Sequence, residues 1–387
     1  MKSRTVTQVC TGCGSSQLSA PVEIPNQPVI MNYRFATARA ARVVPRRTLE
    51  LVECGVCGLI FNRAFDEAAV PYDENYENRQ DQSPVFTRHT DQVARWITGQ
   101  LGPEPRILEV GCGKGVFLKS LVRLSGGTAD GYDTSYEGPT GRRGRVAFHR
   151  SYISAQDVKK PYDAIVCRHV VEHVARIGDF LKELAAIATA AGVPTVFLET
   201  PRLEWIIRSR SAWDVFHEHC NYFTTSALYE LCRLAGFRVI RQRQAFDGQY
   251  QLLSLQVAKR RAVAPSVTPA PCIGELGLVV KHAFDQLATR VDKMRRGGRW
   301  AVWGAGAKGM CLANRATGEP PTCLFDKNPA KQGIFVPGAA VPVVAPTAAA
   351  LHDLSLVVIV NPTYKTEILS TLKSLKYQGR TLVLEKI

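Results

Sequence analysis

Long hydrophobic runs are missing from this chain of 387 residues. The longest apolar runs, such as residues 356–360, fall far short of the roughly 20 apolar residues that a membrane-spanning helix needs. Residues 1–5 are not followed by an apolar segment of the kind that a secretory signal peptide contains. These absences predict a protein that has no membrane partner and resides in the cytoplasm.

Acidic residues are few compared with basic ones, and the net charge is +15. The basic residues are nevertheless scattered in short clusters, such as residues 142–143 and 295–296, without a basic helix or an aromatic-interleaved RNA-binding motif. This distribution argues against a nucleic-acid partner. Diffuse positive charge also suits an anionic small-molecule substrate, for example a nucleotide diphosphate.

Four of the eleven cysteines form two Cys-x-x-Cys pairs, Cys10 with Cys13 and Cys54 with Cys57. In a cytosolic chain, two such knuckles supply the four thiolates of a tetrahedral zinc site, and reactive or redox cysteines are the alternative. Four protein ligands leave no open coordination position. We therefore predict a structural zinc ion that closes a small N-terminal domain.

A glycine-rich turn follows an apolar strand at residues 106–110. Gly111, Gly113 and Gly115 can adopt positive φ and expose bare backbone, and the helix that follows presents unpaired N–H groups. A second strand ends at Asp133, where a carboxylate can accept both hydroxyls of a ribose. A glycine turn by itself can also serve tight packing, so the strand-end acid is what favours a nucleotide-like ligand.

Further strands at residues 163–167 and 195–199 alternate with apolar residues at helical spacing, which predict one helix over residues 170–192. Alternation of this kind predicts an α/β fold with a doubly wound parallel sheet and a ligand site at the carboxyl ends of its strands. His173 would lie just past such an end.

Residues 213–224 place His217, Glu218 and His219 among aromatic side chains. Two histidines beside a carboxylate suit a general base whose pKa is set by its neighbours. A metal site is the competing interpretation, although no third and fourth ligand is evident nearby in the sequence.

A second α/β unit follows a proline-rich linker at residues 259–271 and a long helix at residues 273–296. Its turn at residues 304–309 has the G-x-G-x-x-G spacing of dinucleotide-binding proteins, and Asp326 supplies a strand-end acid. Lys308 within the turn favours a phosphate group.

The first glycine motif, Glu-x-Gly-x-Gly-x-Gly with a strand-end acid, resembles the cofactor signature of class I S-adenosylmethionine (SAM) methyltransferases. The resemblance implies that Asp133 binds the ribose of SAM. It also implies that the methionine moiety faces Glu109, Gly111, Cys112, Gly113 and Gly115.

Over nearly its full length the chain is similar to the sugar C-methyltransferases that act on nucleotide-linked 4-keto-deoxysugars. These share the order of two Cys-x-x-Cys knuckles, a SAM-binding domain and a C-terminal Rossmann-like domain. The resemblance implies that the C-terminal domain helps to hold the nucleotide-sugar and is not a redox module. The matching positions are Gly304, Gly306, Lys308, Asp326, Lys331 and Asn361.

The same resemblance implies that the sugar is surrounded by Tyr76 from a lid at residues 72–83, by His173, and by Glu218 and His219. The lid segment could otherwise be a plain solvated loop. We hypothesise that His219 is the base, that Glu218 orients it, and that His173 and Tyr76 bond the keto or enolate oxygen.

Two positions depart from the family pattern. Phe216 stands where the family often has tyrosine, and Tyr222 is the nearby phenol that could replace it. Residues 247–249 read Asp-Gly-Gln instead of the commoner His-Gly-Gly, which leaves the identity of the sugar open.

The sequence thus predicts a zinc-binding domain at residues 1–70, a SAM-binding domain at 71–258 and a Rossmann-like substrate domain at 259–387. The predicted function is SAM-dependent C-methylation of a nucleotide-activated keto-deoxysugar. The alternatives are an O- or N-methyltransferase of another small molecule, and a zinc-ribbon nucleic-acid binder with a degenerate methyltransferase fold.

Overall fold

The structure is a computed structural model that describes residues 6–77, 79, 82–192, 195–258, 272–316 and 318–385. The linker expected at residues 259–271 lies outside these described residues. No helix within the described ranges combines the length and apolarity that a membrane crossing requires.

The N-terminal part is a four-stranded antiparallel sheet with a short helix. Its fourth strand, Asn221–Tyr222, comes from much later in the chain and pairs with the third strand. The N-terminal module therefore shares a sheet with the segment that carries His219. The bounds of the other elements are β1 Val22–Pro28, α1 Ala38–Arg42, β2 Arg46–Glu53 and β3 Ile60–Asn62.

The central part is an eight-stranded sheet whose five middle strands are parallel. Ile107 and Leu108 are fully buried, as expected for a strand covered by helices on both faces. The elements from this part of the chain are α2 Pro84–Thr98, β4 Arg106–Val110, α3 Val116–Ser125, β5 Thr128–Tyr132, β6 Gly141–Arg143, β7 Val146–His149, β8 Ala164–Arg168, α4 Ile177–Ala190, β9 Val196–Pro201, α5 Leu203–Arg208, β10 Asn221–Tyr222, α6 Thr225–Leu234, β11 Phe237–Ala245 and β12 Tyr250–Val257. In spatial order the strands run β11-β12-β9-β8-β4-β5-β7-β6.

The C-terminal part is a second, all-parallel sheet of five strands. The long helix predicted at residues 273–296 is confirmed. The elements are α7 Ile273–Arg295, β13 Arg299–Trp303, α8 Ala307–Arg315, β14 Leu324–Phe325, β15 Val343–Val344, α9 Ala348–Leu351, β16 Leu354–Ile359, α10 Lys365–Ser374 and β17 Arg380–Val383.

A buried carboxylate joins the N-terminal sheet to the C-terminal part. Glu53, at the end of β2, accepts hydrogen bonds from the backbone N–H groups of Cys272 and Ile273 at 3.0 and 2.9 Å. These groups lie at the start of α7, where unpaired N–H groups and the helix dipole favour an anion.

The single helix predicted over residues 170–192 is wrong. The chain instead forms a short 3₁₀ turn at Val171–His173, becomes extended at Val174, and begins α4 at Ile177. The side chain of Asn221 donates to the carbonyl groups of Val171 and Val174 at 3.0 and 2.8 Å. Apolar spacing continues through the break, but these carbonyl groups are bonded across to another segment instead of along a helix.

Candidate active site

The four cysteines of the two knuckles come together. Their sulfur atoms lie within 4.8 Å of one another, with Cys10 to Cys57 at 3.6 Å and Cys13 to Cys54 at 3.5 Å. Sulfur ligands of a tetrahedral zinc ion stand about 3.8 Å apart, because each Zn–S bond is about 2.3 Å. The donor set therefore fits zinc.

The first glycine loop has an open side at its centre. Gly111, Gly113 and Gly115 all have positive φ, at 76°, 52° and 75°. A Cβ atom on Gly111 would collide with Val170 and one on Gly115 with Phe148, whereas one on Gly113 would meet nothing within 4 Å. A ligand can therefore approach the backbone at Gly113.

Asp133 follows β5 and braces this loop. One carboxylate oxygen accepts from the backbone N–H of Gly113 at 2.7 Å, and the other accepts from the N–H and hydroxyl of Ser135, each at 2.7 Å. Each carboxylate oxygen can accept more than one hydrogen bond. Binding of ribose hydroxyls by Asp133 stays a prediction with which this placement is compatible.

Glu109, near the end of β4, is an unsatisfied buried acid. Its Oε2 atom has no hydrogen-bond partner among the described residues. Burial raises the pKa of its carboxyl group to about 8. A buried acid without a partner beside an open glycine loop fits the ammonium group of the methionine moiety of SAM.

One cavity of about 710 Å³ contains surfaces of both glycine loops and of the histidine pair. The sequence-predicted residues that line it are Tyr76, Glu109, Gly111, Cys112, Gly113, Asp133, His173, His219, Gly304, Gly306, Lys308, Asp326, Lys331 and Asn361. Among the described residues, Gly115, Glu218 and Tyr222 are predicted for the site but do not line this cavity.

His173 has a fixed orientation. Its Nδ1 atom lies 2.9 Å from the backbone carbonyl oxygen of Glu218, which can only accept a hydrogen bond. Nδ1 therefore carries the proton, and Nε2 of the neutral ring has a lone pair. The hydroxyl of Tyr72 lies 3.2 Å from the same Nδ1 atom.

His219 lies against His173 and Phe216, with ring centroids 4.9 and 4.1 Å away. Burial, and next the repulsion that a protonated His173 would exert, lower the pKa of His219 well below the ordinary value of 6.5. The imidazole is therefore neutral at physiological pH and can accept a proton.

The expected contact between the Glu218 carboxylate and His219 is not formed among the described residues. The carboxylate accepts from the backbone N–H groups of Met31 and Asn32 at 2.7 and 3.3 Å, and burial raises its pKa to about 7. Glu218 does orient a histidine, but that residue is His173 and the contact is through the backbone carbonyl.

Tyr222 does not replace the phenol that is missing at position 216. Its hydroxyl accepts from the backbone N–H of Phe216 and donates to the carbonyl of the same residue, each at 3.2 Å. The hydroxyl is therefore fully engaged in hydrogen bonds within this buried turn and is directed away from the cavity.

His217 is likewise a packing residue. It is fully buried, and its ring lies 5.0 Å from that of Phe65. Of the two histidines in this stretch, only His219 lines the cavity.

Sequence reasoning missed Glu172, which lies beside both histidines. One atom each of Glu172, His173 and His219 lies within 4.8 Å of the others, so the third metal ligand that the sequence did not reveal is present. A metal ion there would occupy the imidazole lone pairs that a general base needs, so the two interpretations exclude each other. Glu172 also accepts from the hydroxyl of Thr200 at 3.0 Å. The position of Glu172 next to His173 in the sequence was the only indication that Glu172 belongs to the site.

A second missed group is a buried ionic network behind the cavity. Glu199 in β9 contacts Nε2 of His89 at 2.9 Å and forms an ion pair with Arg168. Although burial opposes it, the charge of Arg168 and hydrogen bonding from His89 hold the pKa of Glu199 far below its ordinary value. The Arg168 guanidinium also lies 3.7 Å from the ring centroid of Phe117. The network connects α2 to the central strands.

The segment at residues 72–83 is a cavity wall in its described part, not a plain solvated loop. Tyr76 is only 4% exposed. Ser83 caps α2 by accepting from the N–H of Phe86, and its hydroxyl donates to Glu367 of α10 at 2.7 Å. The segment thus connects the central and C-terminal parts.

The second glycine loop also has an open side. A Cβ atom on Gly304 or Gly306 would meet nothing within 4 Å. Asp326 accepts from the N–H of Ala305 at 2.9 Å, and the ammonium of Lys331 donates to the carbonyl of Ala305 at 3.0 Å. Asp326 and Lys331 therefore brace the loop, as Asp133 braces the first one.

The ammonium group of Lys308 is already paired with a carboxylate and is not free to bind a phosphate. Its Nζ lies 2.9 Å from a carboxylate oxygen of Asp214, and both residues line the cavity. The side-chain amide of Asn361 donates to Gln249 at 3.2 Å. A phosphate at this loop would therefore meet mainly backbone N–H groups.

Comparison with known proteins matches two parts of the chain to families. Residues 81–242 match a family described as a methyltransferase domain, and residues 277–385 match one described as a C-methyltransferase C-terminal domain. The chain therefore combines a methyltransferase domain with a C-methyltransferase C-terminal domain. The second match argues against a dehydrogenase signature at the loop of Gly304.

Curated relatives include the C-methyltransferase NovU of Streptomyces niveus, 25% identical over 56% of this chain and 55% of that protein. A ubiquinone biosynthesis O-methyltransferase of Nitrobacter winogradskyi is 26% identical over 29% of this chain and 50% of its own length. The chain thus spans about half the length of the curated relatives it matches. Among solved structures, a Burkholderia thailandensis 1,6-didemethyltoxoflavin-N1-methyltransferase with bound S-adenosylhomocysteine is 19% identical, with a TM-score of 0.36 over 46% of this chain and 83% of that one.

Proposed function

We propose that this protein transfers a methyl group from SAM to a carbon atom next to the ketone of a nucleotide-linked keto-deoxysugar. The observation that carries this proposal is a single cavity that contains both glycine loops and the His173–His219 pair. The C-methyltransferase C-terminal domain and the similarity to NovU support carbon as the acceptor atom.

The first step is removal of a proton. A carbon next to a ketone becomes nucleophilic when its C–H bond breaks and the electron pair forms a C=C bond, while the carbonyl π pair moves to oxygen. The neutral His219 takes the proton. His173, with its proton on Nδ1, offers a lone pair at Nε2 and can accept a hydrogen bond from a sugar hydroxyl.

The methyl donor belongs beside the first glycine loop. When bound, SAM supplies an electrophilic methyl group to the nucleophilic carbon and leaves as S-adenosylhomocysteine. Glu109 would pair with the ammonium of its methionine moiety, Gly113 would present bare backbone, and Asp133 would accept the ribose hydroxyls.

The second glycine loop would hold the nucleotide part of the substrate. Backbone N–H groups near Gly304 and Gly306, at the start of α8, favour a phosphate oxygen. The zinc ion, bound by the four N-terminal cysteines, would be structural.

The proposal is tested by incubating the protein with SAM and a panel of nucleotide-linked sugars, each in a keto and a hydroxyl form. We expect S-adenosylhomocysteine to form only with keto sugars, and the same nucleotide without the sugar to compete. Turnover confined to oxygen or nitrogen acceptors without a ketone would instead support the O- or N-methyltransferase alternative.

A further inference from the structure

The proposed enolate oxygen needs a hydrogen-bond donor. Of three expected donors, one is absent and two already donate to other groups. Phe216 has no hydroxyl, and the hydroxyl of Tyr222 bonds the backbone of Phe216. Neutral His173 carries its proton on Nδ1, where the carbonyl of Glu218 accepts it. An oxyanion that develops in this cavity must find its donor elsewhere.

Tyr76, the phenol expected from the lid, is also poorly placed. Its hydroxyl oxygen is sealed from solvent and has no hydrogen-bond partner among the described residues. The charge of Glu218 is among the causes that, after burial, raise the pKa of Tyr76 well above 10. Tyr76 forms part of the cavity wall, but its buried hydroxyl interacts electrostatically with Glu218.

Tyr72 lies four residues earlier in the same segment and contacts His173 of the histidine pair directly. Its hydroxyl is 3.2 Å from Nδ1 of His173, and its ring contacts those of His173 and Tyr76 edge-on at 5.9 and 5.0 Å. Tyr72 is half-buried and lines the cavity. Tyr72 therefore brings a phenol into the cavity that His173 and His219 also line.

His173 does not accept the hydrogen of the Tyr72 hydroxyl. The Nδ1–H of His173 donates to Glu218, so the Tyr72 oxygen can only share that donor as a second acceptor. A phenol in this position can donate to another oxygen. Burial raises the pKa of Tyr72 well above 10, which keeps the phenol protonated.

We propose that Tyr72 is a catalytic residue that donates a hydrogen bond to the enolate oxygen of the substrate. This inference rests on the proposed function. As the C–H bond breaks and the proton passes to His219, the carbonyl π pair moves to oxygen, and the Tyr72 hydroxyl stabilises that negative charge without giving up its own proton. Tyr72 thereby fills the role that position 216 cannot fill.

The test separates enolate formation from methyl transfer. A keto-sugar nucleotide accepted by the wild type is incubated in D₂O with S-adenosylhomocysteine in place of SAM, and NMR follows deuterium uptake next to the ketone. We expect Tyr72→Phe to slow this exchange and to lower the kcat of methylation by about 10²–10³-fold, the usual effect of removing one oxyanion donor. SAM affinity and the KM for the sugar should stay close to wild type.

Two control variants show whether the effect is specific to the hydroxyl of Tyr72. Tyr76→Phe removes the neighbouring phenol of the same segment and should slow exchange far less than Tyr72→Phe. Tyr229→Phe removes a hydroxyl from α6, outside the cavity, and should leave exchange unchanged.

The outcomes distinguish this inference from the proposed function. Wild type that neither exchanges nor methylates any keto-sugar nucleotide would overturn the proposed function itself. Active wild type together with a folded Tyr72→Phe protein that exchanges at the wild-type rate would overturn the role of Tyr72 alone. An increase in KM without a change in the exchange rate would also overturn it, because the tyrosine would then be part of the wall only.

Discussion

At the scale of single residues, burial decides which groups can exchange protons near neutral pH. His219 is held neutral because burial and the nearby His173 lower its pKa well below 6.5. A neutral imidazole can accept a proton without first losing one. We therefore propose His219 as the base and not the carboxylate of Glu218, which bonds the backbone of residues 31–32.

Replacing His219 with Gln should remove the base and leave the cofactor site intact. General-base catalysis typically contributes about 10²–10⁴-fold, so we expect methylation to fall by that factor with SAM affinity unchanged. Rates are measured from S-adenosylhomocysteine release. The control is His352→Gln, at an exposed position with a side chain that is 83% accessible. Wild-type turnover by His219→Gln would assign the base to another residue, with His173 the next to test.

Glu109 makes folding stability depend on pH in a defined direction. Its folded-state pKa is raised from 4.5 to about 8, so between these values the folded protein keeps a proton that the unfolded chain releases. Stability from this group is full below about pH 4.5 and is lost as pH rises towards 8. Gln does not titrate. The unfolding free energy of the Glu109→Gln variant, measured relative to that of wild type, should therefore increase by a few kcal/mol from pH 5 to pH 8.

Denaturant unfolding in the absence of SAM, at several pH values, measures this difference. The matched control is Glu104→Gln, because the Glu104 side chain is 75% exposed and should show no such trend. A constant difference between Glu109→Gln and wild type across the range would contradict the account of a buried neutral acid.

At the scale of elements, the turn that carries His173 is held by the strand that follows His219. The two N–H groups of the Asn221 side chain bond the carbonyl groups of Val171 and Val174. Asn221→Ala would leave both carbonyl groups without this donor, at about 1–3 kcal/mol each. We expect lower stability together with a reduced kcat, measured by thermal unfolding and by methylation assays.

A similar amide elsewhere in the chain provides the control for this prediction. Asn314 also bonds two carbonyl groups, those of Met310 and Pro337, and does not line the cavity. Asn314→Ala should lose comparable stability but keep kcat. Equal losses of kcat in both variants would show that Asn221 acts through general stability alone.

The two cysteine knuckles support the same segments. The carbonyl of Thr11 in the first knuckle accepts from the N–H of Gly178 in α4 at 3.0 Å, and β3, which follows the second knuckle, pairs with β10. Structural zinc contributes on the order of 10 kcal/mol in small zinc-binding peptides. Cys54→Ser should therefore lose bound zinc and unfold at a markedly lower temperature.

Metal analysis of the purified protein and thermal unfolding check this prediction. Cys272→Ser changes a cysteine outside the cluster and should retain the metal. Wild-type protein that contains no zinc when purified without chelator would contradict the assignment.

Elements that follow local pattern were predicted well, and those fixed by distant contacts were not. The glycine loop with α3 and the long helix α7 both follow from apolar spacing and turn residues. The break between His173 and α4 did not, because it depends on Asn221, far along the chain. The fourth N-terminal strand, β10, could not be assigned to that sheet for the same reason.

Site residues follow the same division. Residues in local motifs, such as Gly113, Asp133 and Gly304, do line the cavity. The contacts between site residues were harder to predict, because the Lys308–Asp214 ion pair and the contact of Tyr72 with His173 join separate segments. The sequence reveals which residue types are present, whereas the partner of each depends on how the three sheets pack.

At the scale of the whole molecule, two glycine loops from two parallel sheets open onto one cavity with the histidine pair. Each loop is braced by a strand-end aspartate, Asp133 in the first and Asp326 in the second. In the proposed function, the first loop would hold the methyl donor and the second loop the nucleotide-linked acceptor. A nucleic-acid binder with a degenerate methyltransferase fold would not need the base, the open loops and a shared cavity together.

The central claim is that the methyl group is transferred to carbon after loss of the neighbouring proton. The most direct test is a single reaction of SAM carrying a ¹³C-methyl group with a keto-sugar nucleotide deuterated next to the ketone, followed by NMR of the product. We predict a ¹³C-methyl group bonded to the ring carbon beside the ketone, with one deuterium lost to solvent. A ¹³C-methyl group on oxygen or nitrogen, with all deuterium retained, would contradict the account.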